Sequence, residues 1–203
     1  MKRMYNRINR LYGHITSDLV PKLEVIVDRI SRRNPDLENA SVLEYACGTG
    51  HLSLLLASKC RSLTARDVSS GMLEIARERT EQAGVQVTFS EGDLLAVDEA
   101  DASFDYVAVS FALHLFPVET EIEILRQLCR VARKGVFIID HERRWRPLVA
   151  LVEWFEGGYY DQFIGTDFSG FHRQVGAMAF DDEEIATCRV MTFSTSRSVS
   201  ATE

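Results

Sequence analysis

Carboxylates and closely spaced glycines recur through the first half of this 203-residue sequence at spacings suited to holding a small polar ligand. In "VLEYACGTGHLS" (42–53), Glu44 precedes Ala46, Gly48 and Gly50. Glycines at such a turn let the backbone approach a ligand with no Cβ in the way. A helix starting there offers free N–H groups and the positive end of its dipole. Asp67 follows one strand–helix–strand unit later, where a carboxylate can accept hydrogen bonds from two ribose hydroxyls. Asp93 can accept from an exocyclic amine while the Leu94 N–H donates to a ring nitrogen, and Met72 offers a soft wall for an adenine face. No Gly-Lys-Ser/Thr follows the glycines, so this adenosine-like pocket lacks a phosphate-binding lysine. Taken alone, the turn is ambiguous: Gly48, Gly50 and Ser53 also occupy the glycine places of a worn dinucleotide fingerprint, and Asp67 suits the ribose of NAD.

The elements that must position these groups alternate. Strands are expected at 41–46, 62–66, 85–90, 104–113 and 136–140, and helices at 51–60, 70–84 and 119–135. In the last helix, Thr120 and Glu123 are spaced as a capping box, Ile122, Leu125, Leu128 and Cys129 form the inward face, and Gly135 is the stop. Nearly all-apolar short strands alternating with helices imply a parallel sheet covered on both faces. The ligand edge of such a sheet lies beyond the carboxyl ends of its strands. Those ends here are the glycine turn, Asp67, Gly92-Asp93-Leu94, Ser110 and Asp140-His141. Before this core, Tyr5, Ile8, Tyr12 and Ile15 share one helical face. A second helix begins near Asp18 and Pro21, with Leu23, Ile26, Val27 and Ile30 as its stripe. After it, 146–158 suits a helix and 159–184 reads as irregular or short helix. The end folds as a hairpin near Phe193 and Ser194 that adds an antiparallel strand.

Bulk properties narrow the class. A net charge of -7 argues against a general nucleic-acid binder, and "RRWR" (143–146) reads as a solvated basic turn, with an anion-facing patch near the active site as the alternative. Cys47, Cys60, Cys129 and Cys188 are scattered with no C-x-x-C pair, which disfavours a structural metal and suits a reducing, cytoplasmic setting. No stretch approaches the roughly 20 apolar residues of a membrane span. The length suits one domain: a helical lid or cap (1–34), a core (41–141), and an acceptor side with a closing hairpin (142–203).

The stretches "VLEYACGTGHLSLLLA", "LTARDVSSGMLEIARER", "VTFSEGDL", "FDYVAVSFALHLF" and "EILRQLCRVARKGVFIID" resemble the class I S-adenosylmethionine-dependent methyltransferases, in the ubiquinone/menaquinone-type small-molecule branch. The Gly-Asp-Leu after the third strand separates this family from the dehydrogenases. The resemblance implies an α/β, Rossmann-like, doubly wound sheet of about seven strands with an antiparallel C-terminal strand. It also implies S-adenosylmethionine as cofactor, S-adenosylhomocysteine as product, and a small-molecule acceptor. Carried over by position, Glu44 anchors the glycine turn and the methionine end. Ala46, Gly48 and Gly50 form that turn, Asp67 binds ribose, and Val68 and Met72 line adenine. Asp93 and Leu94 read its edge, and Ser110 meets the methionine moiety through its backbone. Ala46 departs from the family's first glycine, and Ser53 becomes an ordinary residue of a helix's first turn. The rival readings are a nicotinamide-dependent oxidoreductase and a non-catalytic adenosine-ligand sensor.

Methyl transfer from a sulfonium needs alignment first, and a base only where the acceptor carries a proton. No catalytic residue is therefore assigned. His114 is a base, a cofactor contact or a packed histidine. His141 borders the acceptor side or lies in a solvated loop. Tyr5 and Tyr12 suit a lid or packing, and "WFEGGYYDQF" (154–163) suits an acceptor wall or a core helix with its loop. The acids of "EGDLLAVDEADASFD" beyond Asp93 read as a solvated loop, and oligomeric state is left open.

Overall fold

The computed structural model describes residues 20–145 and 159–195. Seven strands form one sheet in the order β3-β2-β1-β4-β5-β7-β6. They are β1 (Ser41–Tyr45), β2 (Ser62–Asp67), β3 (Thr88–Glu91), β4 (Phe104–Ser110), β5 (Ala132–His141), β6 (Ala179–Ile185) and β7 (Cys188–Ser194). β1 to β5 pair in parallel, and β7 runs antiparallel to both β5 and β6. The helices are α1 (Val20–Arg33), α2 (His51–Ala57), α3 (Ser70–Gln82), α4 (Val118–Val131) and α5 (Tyr160–Gly165). The strand order reverses between β1 and β4, so the crevice beyond their carboxyl ends is where an open α/β sheet takes its ligand.

Alternate residues of each central strand feed opposite cores. Val42 packs with Leu23, Ile26, Val27 and Ile30 of α1 and with Leu52 and Leu56 of α2. Its neighbour Leu43 faces Ile124, Leu125 and Leu128 of α4. Because both faces are covered, Val42 to Tyr45 are all fully buried, which is why this strand reads as an apolar run broken only by Glu44. The stripe expected on α1 is the one that is buried.

Several boundaries differ from the expectation: α2 ends at Ala57 and not at 60, β3 covers Thr88–Glu91 and not 85–90, β4 ends at Ser110 and not at 113, and β5 begins at Ala132 and not at 136. α4 starts at Val118 after Pro117 with no side-chain cap, so Thr120 and Glu123 form no capping box. The proline supplies an extended entry without a hydroxyl acceptor (φ -67°, ψ 154°). The buried face of α4 also includes Glu121, Ile124 and Val131, with Ile122 at its margin. Gly135 does not stop that helix; it lies inside β5 opposite Ser194, where an added Cβ would come 3.2 Å from the Phe193 carbonyl oxygen. Close approach of two strands, not helix termination, is what needs glycine there.

The hairpin turns at Ala186 and Thr187, both with positive φ, not at Phe193–Ser194; those two residues continue β7. Its first strand, β6, falls in the stretch expected to be irregular. Asp181, Asp182, Glu183 and Glu184 hide a strand on an exposed sheet edge, a common place for charge. Arg189 of β7 is fully buried. It grips the Asp182 carboxylate with two nitrogens (3.0 and 2.7 Å), donates to the Phe163 and Thr166 carbonyls, and lies over the Phe163 and Phe168 rings. That pin fastens the segment after β5 to the sheet. The helices expected around Tyr5–Ile15 and over 146–158 lie outside the described residues.

Candidate functional site

The glycine turn joins β1 to α2 at the switch point. Ala46, Gly48 and Gly50 all have positive φ (54°, 54° and 77°). An alanine there is strained by roughly 1–2 kcal/mol, a cost absent for glycine. Phe111, directly after β4, is also left-handed (φ 49°), so the two central strands both end in strained backbone on the same edge. The two glycines have different reasons. A Cβ on Gly48 would meet nothing within 4 Å, so this position faces open space. A Cβ on Gly50 would lie 2.8 Å from the Ala76 Cβ, so Gly50 lets α2 and α3 pack closely and is not a point of ligand approach.

Asp67 closes this turn. Its Oδ2 accepts from the Gly48 N–H and its Oδ1 from the Ser69 N–H, both at 2.8 Å. At 8% exposure it sits at the margin of the core. Burial raises its pKa, opposed by the Ser69, Gly48 and Val68 backbone donors. Gly48 and Ser69 take one site on each oxygen, Val68 adds a third backbone donor, and a carboxylate has about four sites, so accepting capacity remains. Ser69 then caps α3, and Met72, buried, opens that helix beside Val68, which is half-buried.

Glu44 is fully buried beneath the turn. The Ser53 hydroxyl donates to its Oε2 at 2.5 Å, while Oε1 has no hydrogen-bond partner among the described residues. Burial pushes its pKa up to about 8, the Ser53 bond working against that and the Asp67 charge with it. Ser53, fully buried, is thus no ordinary first-turn residue. A serine nine positions after a strand acid was the available signal, one helical turn past Gly50 and on the face turned back to β1.

The remaining carried-over residues line the same edge. Asp93 is exposed and accepts from the Leu95 N–H (2.9 Å), and Leu94 is buried behind it. Ser110 ends β4 half-buried. Among the acids after Asp93, Glu99 is not solvated: its Oε2 accepts from the Tyr45 hydroxyl (2.6 Å), and its Oε1 lies 2.8 Å from Arg66 Nε.

A second polar group sits beyond β4 and β5. Asp140, fully buried at the end of β5, accepts on Oδ2 from the backbone N–H groups of Leu113 (3.1 Å) and His114 (3.4 Å). Its Oδ1 accepts from the His141 N–H (2.8 Å) and meets His114 Nδ1 at 2.6 Å. Burial alone would raise this carboxyl, but His114, His141 and these donors hold it below the usual carboxylate range. His114 is buried on the short 3-10 turn Leu113–Leu115, its ring 4.6 Å from that of His141. His141 is half-buried at the strand end, edge-on to Phe111 and Tyr160, not in a loop. Tyr160 is buried and Tyr159 exposed, while Trp154 to Gly158 lie outside the described residues.

Glu121 of α4 is fully buried, and neither carboxylate oxygen has a partner among the described residues. Burial and the Asp140 charge push its pKa up to about 8, against the pull of His114 and Arg189. Because the folded chain holds this proton more tightly than the unfolded one, ionising Glu121 weakens the fold as pH climbs from the ordinary carboxylate range through about 8. Glu121→Met should therefore leave stability near wild type at pH 5 and raise it by about 2 kcal/mol at pH 8. Urea denaturation at the two pH values measures this; equal effects at both would refute it.

Residues 42–135 match the family described as a methyltransferase domain. Among curated relatives, the chain is 32% identical over 103 residues to the demethylmenaquinone methyltransferase of Shouchella clausii, covering 49% of this chain and 43% of that protein. It is 27% identical over 138 residues to that of Listeria welshimeri, covering 66% and 58%. The chain thus spans about half the length of the curated relatives it matches. Among solved structures, magnesium protoporphyrin IX methyltransferase from Synechocystis, with bound SAH, superposes with a TM-score of 0.66 at 18% identity over 85% of this chain and 83% of that one. A putative O-methyltransferase from Nostoc punctiforme gives 0.72 at 17% identity over 94% and 59%. These two share the fold. Its glycine turn and switch-point edge are carried on a core, residues 42–135, that matches the methyltransferase-domain family.

Proposed function

We propose that this chain transfers the methyl group of S-adenosylmethionine to a small-molecule acceptor by in-line displacement at the carboxyl edge of β1, β4 and β5. The observation that carries the reading is the pair of carboxylates at the switch point. Glu44 keeps a buried oxygen with no partner among the described residues, and Asp67 retains accepting capacity beside a glycine that opens on free space. A ligand with a cationic amino acid end and a ribose complements both. On this reading Glu44 serves the methionine end, Ala46 and Gly48 shape the turn beneath it, and Asp67 takes the ribose. Val68, Met72, Asp93 and Leu94 surround the adenine, and Ser110 meets the methionine moiety by backbone, while Gly50 acts only through packing. The sulfonium supplies an activated methyl group when bound; the chain's own task is to align it with the acceptor and exclude water.

The acceptor side comprises His114, His141 and the segment after β5. The curated relatives act on demethylmenaquinone, which favours a phenolic or hydroquinone-like acceptor here. The four cysteines, none of them in a disulfide, fit a cytoplasmic setting, and the acidic charge fits an acceptor other than nucleic acid. No described helix is long and apolar enough to cross a membrane. The chain is read as one domain.

Calorimetry distinguishes this from an oxidoreductase. S-adenosylhomocysteine should bind at micromolar concentration and NAD should give no heat. NAD binding without a response to S-adenosylhomocysteine overturns the proposal. Methyl-labelled S-adenosylmethionine with a short-chain demethylmenaquinol then separates an enzyme from a sensor.

A further inference from the structure

We infer that Arg66 and Glu99 are positioning residues for base recognition: they fix the loop that carries Asp93 and Leu94, and so select adenine over bases without its exocyclic amine. This deepens the proposed methyl transfer and rests on its cofactor reading. Residues 92–103, between β3 and β4, contain no helix or strand, yet they bear the two residues proposed to read the base edge. The tip itself is a tight turn, with Asp93 Oδ1 accepting from the Leu95 N–H and the Asp93 carbonyl from the Ala96 N–H, both at 2.9 Å. Such a turn discriminates between bases only when it is held as a unit to within about 0.5 Å of the productive geometry.

Arg66, next to Asp67 on β2, holds both ends of that turn. Its stem lies against Gly92, where an added Cβ would come 2.7 Å from the Arg66 Cδ and 3.0 Å from its Cβ. Its guanidinium reaches the far end, with Nη1 donating to Asp98 Oδ1 (3.0 Å) and Nε lying 2.8 Å from Glu99 Oε1 as an ion pair. The Nε–H is not aimed along that contact, so the attraction there is electrostatic and another partner must orient the carboxylate. Tyr45 is that partner: its hydroxyl donates to Glu99 Oε2 at 2.6 Å. Burial, together with the carboxylate, pushes the Tyr45 hydroxyl above its usual pKa, so it remains a donor. Tyr45 and Arg66 are register partners on β1 and β2, directly before Ala46 of the glycine turn and before Asp67. One carboxylate therefore ties the base-reading loop to both strand ends that carry the rest of the ligand edge.

Tethering alone does not call for a charge at this place. Leu94 is buried in the core cluster that includes Tyr45. Arg130 of α4 pins the return of the loop, donating to the Glu99 carbonyl (2.7 Å), the Val97 carbonyl (3.3 Å) and Asp101 Oδ1 (2.6 Å). The Glu99 side chain is 5% exposed, and a charge taken out of water to that extent costs several kcal/mol unless it is well matched. Apolar side chains of similar volume often hold such a place equally well or better. What a hydrogen bond and an ion pair from two different strands add is direction, and direction is what a turn reading the edge of a base requires.

The test is calorimetry on the full chain with S-adenosylhomocysteine and with S-inosylhomocysteine, whose base has an oxo group for the amine and an N–H where adenine has an acceptor. Wild type should prefer the adenine ligand by about 10–100-fold, the range for hydrogen bonds to a charged group. Tyr45→Phe and Glu99→Ala should each weaken S-adenosylhomocysteine by about 5–20-fold and S-inosylhomocysteine by less than about twofold, so that the preference collapses. Glu99→Gln, whose amide oxygen can still accept from Tyr45, should regain part of the preference lost in Glu99→Ala. Tyr106→Phe removes a like hydroxyl–carboxylate bond, to Asp36 (2.9 Å), on the opposite core and should leave the preference unchanged. Should Glu99→Ala fail to fold, Tyr45→Phe alone decides. A Tyr45→Phe protein with wild-type preference, equal weakening of both ligands, or a wild type that binds both ligands alike overturns the inference. A wild type that does not bind S-adenosylhomocysteine overturns the cofactor reading instead.

Discussion

Asp67→Ala is expected to lower the stability of the ligand-free protein by about 2–4 kcal/mol and to weaken S-adenosylhomocysteine binding by a further 1.5–3 kcal/mol or so. The first effect follows from two backbone donors, Gly48 N–H and Ser69 N–H, that lose their acceptor at once. Each buried unsatisfied group costs about 1–3 kcal/mol, and the 8% exposure of Asp67 lets water recover part of that. The second follows from its proposed bonds to ribose, which are charge-assisted. Asp67→Asn separates the two. Its carbonyl oxygen can keep one backbone donor, so stability should fall by about half as much, while affinity should drop nearly as far because the charge is gone. Chemical denaturation gives the stability and calorimetry the affinity. An Asp67→Ala protein of wild-type affinity would show that the ribose does not meet this carboxylate.

Binding of S-adenosylhomocysteine at pH 7 is expected to release close to one proton, and Glu44 is its source. In the ligand-free protein burial pushes this carboxyl up to about 8, so at neutral pH it is mostly neutral. A cationic amino group beside Oε1, which lacks a partner among the described residues, favours the ionised form. Affinity should then rise with pH up to about 8 and level off above it, because below that value binding must first expel the proton. In the absence of ligand the same group acts in the opposite sense. Its folded pKa lies above the unfolded value, so its contribution to stability is retained at acid pH and declines as pH rises through about 8. Calorimetry in phosphate and in Tris should give different apparent enthalpies for wild type and equal ones for Glu44→Gln, with affinity lower by about 1.5–3 kcal/mol in the variant. Equal enthalpies in both buffers for wild type would place the ligand's amino group elsewhere.

The legibility of the fold and of the site divides along one physical line. The parallel half of the sheet was readable because β1 and β4 are short runs buried on both faces and punctuated by turns, and α1 shows its stripe at helical spacing. β6 was not: at a sheet edge its Asp181-Asp182-Glu183-Glu184 run carries no apolar alternation, and only pairing with β7 makes it a strand. Gly135 was misjudged for a related reason. A glycine after a helical stretch signals a stop locally, and the close Phe193 carbonyl that requires it comes from 58 residues away in sequence.

The site behaves in the same way. That carboxylates and glycines stand at successive strand ends follows from sequence spacing alone, because the alternation of strand and helix delivers every strand end to one edge. Which oxygen of Glu44 is occupied, that Ser53 occupies it, that Gly50 serves Ala76 and Gly48 open space, and that His114 belongs to Asp140 depend on distances between segments remote in sequence. Residue type and order determined the kind of ligand edge this protein has. Tertiary packing alone decided the partners of its buried charges, since hydrogen bonding and desolvation act over a few ångströms and the chain's order says nothing at that scale.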